Sequence, residues 1–279
     1  MDDHIWGLNM LISIDYRLGK WKGIIEKHIE LFQLYEKIGD GEGFHSLRTF
    51  LPSFGEMITT EQLLLMKKLA QSVLKNVVME SEQRAGLNLF VAKLYYFLSE
   101  KEDTSTRTYE DMALTYYDTV VESGFYYLAS VALSDASLIY KKRCDYDMAL
   151  ERLNEAIEMY VQKGDKKGEA QSRRNRAAIF IKQNHIDLAI SDYEKSIKIL
   201  EQRNSEWDQR KTYQDVQPLA VNEISAMRME KRFLAGSYEG LAYILLDKEQ
   251  GFFDLERGTK FAELTVELKK EIGKGICTV

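Results

Sequence analysis

Apolar residues recur every three or four positions along most of the chain, the spacing of one face of an α-helix. The clearest stretch is SVALSDASLIYKKRCDYDMALERLNEAIEM, residues 130–159. There Leu133, Ala136, Ser137 and Tyr140 mark one helix, and Ala149, Leu153, Ala156 and Ile157 mark a second. The pattern breaks between them, at Arg143-Cys144-Asp145. Forty residues on, AQSRRNRAAIFIKQNHIDLAISDYEKSIKI (170–199) repeats the arrangement. Ala177 and Phe180 stand for Ser137 and Tyr140, then Ala189, Tyr193, Ser196 and Ile197 follow a break at Asn184-His185. The two stretches predict two copies of one helix–turn–helix hairpin. Alanine-sized residues at the crossing points let two helix backbones approach closely while larger neighbours fill the grooves. A hairpin this short cannot bury its apolar faces alone, so copies must stack.

Further pairs follow the same rhythm. The phrase DMAL occurs at 111–114 and again at 147–150. Residues 81–100 and 108–124 predict one more hairpin, with Ala113 and Tyr117 in the small and aromatic places. Leu8–Tyr16 and Trp21–Tyr35 predict another around Leu18-Gly19-Lys20. The spacing Tyr-xxx-Gly-Asp-xx-Gly links Tyr35 to Gly43 and Tyr160 to Gly168, a glycine closing each helix. After a break at Pro52, an amphipathic helix is expected to start near Thr59 or Thr60, where Thr60-Glu61-Gln62 suits an N-terminus. The polar segment 201–225, interrupted by Pro218, predicts an extended helix end, a loop, and a long helix over 219–246. A last helix spans 254–273, and the tail from Lys274 is expected to fray.

With its large, small and aromatic positions in the first helix and Ala–aromatic–Ala in the second, residues 130–159 resemble the tetratricopeptide repeat. Residues 170–199 resemble it too, with Arg173 and Arg176 where apolar residues are usual. The resemblance implies an all-α fold, an α-solenoid of stacked antiparallel helix hairpins with a right-handed superhelix. Repeats lengthened to about 40 residues are similar to those of bacterial peptide-sensing regulators and of some adaptor proteins. The expected division is 1–80 for divergent N-terminal hairpins, 81–200 for the core repeats, and 201–279 for a polar connector, the last hairpin and a cap.

Composition narrows the function. Only two prolines and a globular mixture of 45% hydrophobic and 29% charged residues suit a helical, folded chain. The net charge of −6 argues against general nucleic-acid binding, and no basic helix-turn-helix precedes the repeats. Cys144 and Cys277 are too isolated to suggest a disulfide framework. The opening MDDHIWGLNMLISIDYRLGK lacks a basic start, and no apolar run is long enough to span a bilayer. A cytoplasmic protein that uses no membrane is expected.

Chemistry is sparse. His4, His28, His45 and His185 fall in different hairpins without metal-ligand spacing, so no metal or cofactor is expected. His185 reads as a surface turn residue and Cys144 as a small half-buried one. The glycine-rich GDGEG at 39–43 follows a helix and lacks a succeeding Lys-Ser/Thr, so it reads as a linker. Tyr116, Tyr117, Tyr126, Tyr127 and Tyr140 read as packing between hairpins. No nucleophile–base set suggests an enzyme.

The resemblance places first helices along a concave groove. It implies an exposed row of Ser134, Leu138, Lys141 and Lys142 in one repeat, and Arg174, Asn175, Ala178, Ile181 and Lys182 in the next, with Lys166 and Lys167 entering from the linker. Two readings of this cationic row stand side by side: a solvated face with its counter-charges on a neighbouring helix, or a groove for an acidic peptide or C-terminal carboxylate. Relatives that grip chaperone tails use Lys, Asn and Arg. Here Arg174 and Asn175 match part of that set, while Ser134 and Leu138 replace the Lys and Asn. The expected function is a non-catalytic module binding a protein or peptide in the groove. The alternative is a peptide-responsive regulator lacking a DNA-binding domain. Self-association through the array ends is a further expectation.

Overall fold

The computed structural model describes residues 2–17, 20–39, 57–102, 106–212, 221–249 and 251–277. The Asp40–Gly43 glycine run, His45, Pro52 and Pro218 lie outside the described residues. All the described regular structure is α-helical, arranged in consecutive packed pairs. Two compact units form, Met1–Ile139 and Tyr140–Val279.

The first unit holds α1 (Asp2–Arg17), α2 (Trp21–Ile38), α3 (Thr60–Asn76), α4 (Ser81–Lys101), α5 (Thr106–Glu122) and most of α6 (Tyr126–Lys142). The pairs α1–α2, α2–α3, α3–α4 and α4–α5 pack in succession. Helix α3 starts where its sequence directs. The Thr59 hydroxyl accepts from the Gln62 N–H at 3.2 Å, and the Gln62 side-chain oxygen accepts from the Thr59 N–H at 2.9 Å. This reciprocal cap satisfies two donors that a helix start leaves open. Ile24, Leu31, Phe32, Met66, Leu87, Phe90, Leu94 and Tyr117 are fully buried, and the Phe32 and Phe90 rings lie 5.1 Å apart. Tyr116 stacks on Tyr95 at 5.8 Å. Tyr127 corrects its packing assignment: it is 59% exposed, because the turn of α6 that carries it puts it on the outer side.

The second unit holds the end of α6, then α7 (Tyr146–Lys163), α8 (Lys166–Lys182), α9 (Ile186–Thr212), α10 (Val221–Leu246) and α11 (Leu255–Cys277). Each of α7 to α10 packs on the next. Ala149, Leu153, Ala156, Ala177, Ala189 and Ser196 are all buried, as the repeat pattern requires. Tyr140 and Tyr146 pack against Ala149, Leu153 and Ile179. A larger cluster joins Ala170, Ala177, Ala189, Tyr193 and Ile197 to Leu234, Tyr238 and Leu241 of α10. The buried Ser196 hydroxyl lies 2.9 Å from the Ala170 carbonyl and 3.0 Å from the Ser237 hydroxyl, stitching three helices.

Two glycines set the closest approaches here. A Cβ on Gly168 would lie 2.3 Å from the Tyr160 ring, and one on Gly240 2.3 Å from the Tyr193 ring. In each case an aromatic from the preceding helix occupies the space a side chain would need. Helix α11 runs through Cys277, four residues past the end at 273 that the sequence predicts.

Candidate functional site

The ends of the two repeat hairpins are built alike. Cys144 takes φ 61° and Asn184 φ 60°, left-handed positions that end α6 and α8. The Asp145 N–H reaches the Tyr140 carbonyl at 2.9 Å, and the His185 N–H reaches the Phe180 carbonyl at 2.8 Å. Both bonds close the helix by doubling the chain back. The carboxylate of Asp145 then accepts from the Met148 N–H at 3.3 Å, capping α7. Cys144 is exposed, not half-buried, because the left-handed turn points its side chain outward. His185 is exposed, as its turn position predicts.

The linker glycine works in the same way one step on. Gly164 takes φ 71° and closes α7. The Asp165 side chain accepts from the Gly168 N–H at 2.9 Å and starts α8. Helix α8 therefore enters at a fixed angle and phase, and its arginines are aimed by that phase.

Arg173 and Arg176, three residues apart, face α9. Arg176 makes a two-pronged pair with Asp192, Nε to Oδ2 at 2.7 Å and Nη2 to Oδ1 at 2.8 Å. Its Nη1 donates to Asn154 of α7 at 2.6 Å. Arg173 donates to Glu169 at 3.0 Å and lies 3.4 Å from Asp192. Glu169 also accepts from Lys166 at 3.0 Å. Burial alone would raise the Glu169 carboxyl, but the bonds from Lys166 and Arg173 outweigh it and hold the group below the usual range. Glu169 and Asp192 are both buried. This network fills the places where the repeat pattern expects apolar residues. Lys166, assigned to the groove, is held by it.

Arg174 points elsewhere. Its guanidinium lies over the Phe233 ring of α10, 5.2 Å from the centroid, and bonds the Asn175 side-chain oxygen at 3.3 Å. The room comes from Gly236, where a Cβ would stand 2.7 Å from Nη1. Burial lowers the Arg174 pKa, countered in part by Tyr193. Lys141, half-buried at the end of α6, is lowered first by burial and then by the positive charges of Arg174 and Lys182. Lys182 is exposed. Among the described residues, no carboxylate forms an ion pair with Lys141, Arg174 or Lys182.

The expected row is thus exposed only in part. Lys142 and Lys182 are exposed, and Leu138, Lys141, Lys167, Arg174, Ala178 and Ile181 are half-buried. Two members are corrected. Ser134 is buried, too short to reach past its neighbours, and its carbonyl accepts from the Ser137 hydroxyl at 2.6 Å. Asn175 is buried under the Arg174 guanidinium that it binds. Ser134 and Leu138 belong to the first unit; Lys141, Arg174 and Lys182 come together within the second. The Arg173–Arg176–Asp192 network was not foreseen. Its signal was the pair of arginines at apolar positions, which signals a buried acid but not which one.

Among the described residues, no three His, Cys, Asp or Glu side chains are grouped to hold a metal, and no helix is long and apolar enough to cross a membrane.

Helix pairs with small residues at their crossings, left-handed turns at equivalent places and repeat-length linkers define a helical-repeat protein. The tetratricopeptide repeat model matches residues 127–202, and the chain carries tetratricopeptide repeats there. No curated protein matches the sequence. Among solved structures, BtubC (BKLC) from P. vanneervenii is similar at a TM-score of 0.56 and 12% identity, over 89% of this chain and 92% of that one. That likeness is one of fold. The apo form of RapI aligns over 97% of this chain and 99% of its own at 14% identity, with a TM-score of 0.49.

Proposed function

We propose that the chain is a non-catalytic binding module whose second unit holds an acidic group of a protein or peptide partner at Lys141, Arg174 and Lys182. The observation that carries this reading is a charge imbalance. In a chain of net charge −6, Lys141 feels the positive charges of Arg174 and Lys182, and among the described residues none of the three has an ion-paired carboxylate, while neighbouring Arg173 and Arg176 are paired. Gathering like charges in a partly desolvated place costs free energy, and an anionic ligand would recover it. Arg174 offers a planar donor face fixed by Phe233 and Asn175, suited to a carboxylate. Lys182 supplies exposed charge at the rim, and Lys142 and Ala178 flank it on the same helices.

The test uses fluorescein-labelled peptides ending in Asp or Glu, with a free or an amidated C-terminus, read by fluorescence anisotropy. Arg174→Glu is expected to weaken binding of the acidic peptides by tenfold or more, the effect of breaking a charge-assisted contact. Lys182→Glu, at an exposed position, is expected to weaken it severalfold with the fold untouched. Circular dichroism of both variants should match the parent. Equal affinity of parent and both folded variants would remove the assignment. Loss of binding on amidation points to a terminal carboxylate, and its retention points to acidic side chains.

A further inference from the structure

The outer side of α1 exposes Trp6 (67%), Met10 (47%), Leu11 (46%) and Ile14 (46%), while Leu8 is buried on the opposite side. Trp6, Met10 and Ile14 are four residues apart and share one helix face. Gly7 lies on the open side, since a Cβ there would meet nothing within 4 Å, so a second backbone can come close. Contiguous large apolar side chains of this kind are uncommon on a surface that stays in water.

The charges on either side identify the occupant. Helix α1 carries Asp3 in its first turn, and Lys20 stands just past its C-terminal end. Asp3 and Lys20 are exposed and have no ion-pair partner among the described residues. The apolar stretch from residue 6 to residue 14 is centred on Met10, with Asp3 before it and Lys20 after it, while Asp15 between them is buried and neutralised by Lys27 at 2.7 Å. A surface that is apolar in the middle, acidic at one end and basic at the other is complementary to its own copy turned end for end. We infer that α1 docks against α1 of a second copy of this chain, antiparallel and crossing at Met10. Trp6 of each copy then lies beside Ile14 of the other, and each acidic end meets a basic end. This is the self-complementary geometry of a two-fold dimer. Antiparallel alignment also sets the helix dipoles favourably. A lipid surface or an unrelated apolar helix would use the stripe but gain nothing from the charge reversal.

Sedimentation velocity on the full chain over a concentration series tests the inference. The parent, 32.4 kDa as a monomer, is expected to shift toward twice that mass as concentration rises. Met10→Glu and Ile14→Glu should each lose that shift while keeping the parent circular dichroism, because both positions are already half in water. In a background with Cys144 and Cys277 changed to Ser, Met10→Cys should be coupled to its own copy by a short bis-maleimide. Trp6→Cys alone should not, but should couple when mixed with Ile14→Cys. A parent that stays monomeric throughout overturns the inference. So does a dimer that survives Met10→Glu, or one lost instead on Phe252→Asp at the exposed apolar turn between α10 and α11.

Discussion

Asp192 is the residue whose removal the structure prices most clearly. It is 3% exposed and receives two bonds from Arg176 and a longer approach from Arg173. Asp192→Ala leaves both arginines in place, their side chains only 15% and 19% exposed. Arg173 still has Glu169, so most of the loss falls on Arg176, which keeps only Asn154. Stranding one charge of a buried pair costs about 3–5 kcal/mol, and the retained contacts place this case near 3. For a unit of this size that is a fall of roughly 10 °C in the midpoint. Thermal and urea unfolding followed by circular dichroism would measure it. Replacing only the central pair, Arg176→Leu with Asp192→Leu, should restore most of the loss, because Arg173 keeps Glu169 and an apolar pair of similar volume replaces a buried ion pair at little net cost. If Asp192→Ala costs under about 1 kcal/mol, the value of an exposed surface pair, water reaches the network and screens it. If that double variant is no better than the single one, stranded charge is not what the single change creates.

Other perturbations follow from individual contacts. His28 is held neutral, its Nδ1–H donating to the Ile24 carbonyl at 2.9 Å, and burial, opposed by that bond, lowers its pKa to about 4. Between that value and 6.5 the unfolded chain takes up a proton that the folded chain refuses. Stability is therefore full above pH 6.5 and declines by about 3 kcal/mol as pH falls to about 4; His28→Leu should flatten that part of a pH series of urea midpoints, and an unchanged slope would refute the assignment. Gly168→Ala puts a methyl 2.3 Å from the buried Tyr160 ring and should cost about 1–3 kcal/mol in chemical denaturation, whereas the same change at Gly7, inside α1 with open space around it, should stabilise by up to about 1 kcal/mol.

What the sequence disclosed and what it withheld divide along a physical line. Local rules placed the hairpins: Ala149 and Ala189 are buried, the turns at Cys144 and Asn184 fall at the breaks in the pattern, and Thr59 with Gln62 caps α3. Periodicity and capping depend on residues a few positions apart, so one chain suffices to read them. The fate of the charges depends on residues far apart. Arg173, Arg174 and Arg176 lie within a single turn of α8, yet a step of about 100° per residue turns the outer two toward Asp192 of α9 and the middle one toward Phe233 of α10. No spacing rule says which of them meets an acid, because Asp192 is 16 positions from Arg176 and its reach depends on how α8 and α9 pack. The partition also carries the functional argument. Cations that the fold neutralises fix the phase of one helix on the next. Lys141, Arg174 and Lys182 have no such ion pair among the described residues, and the proposed function rests on that difference.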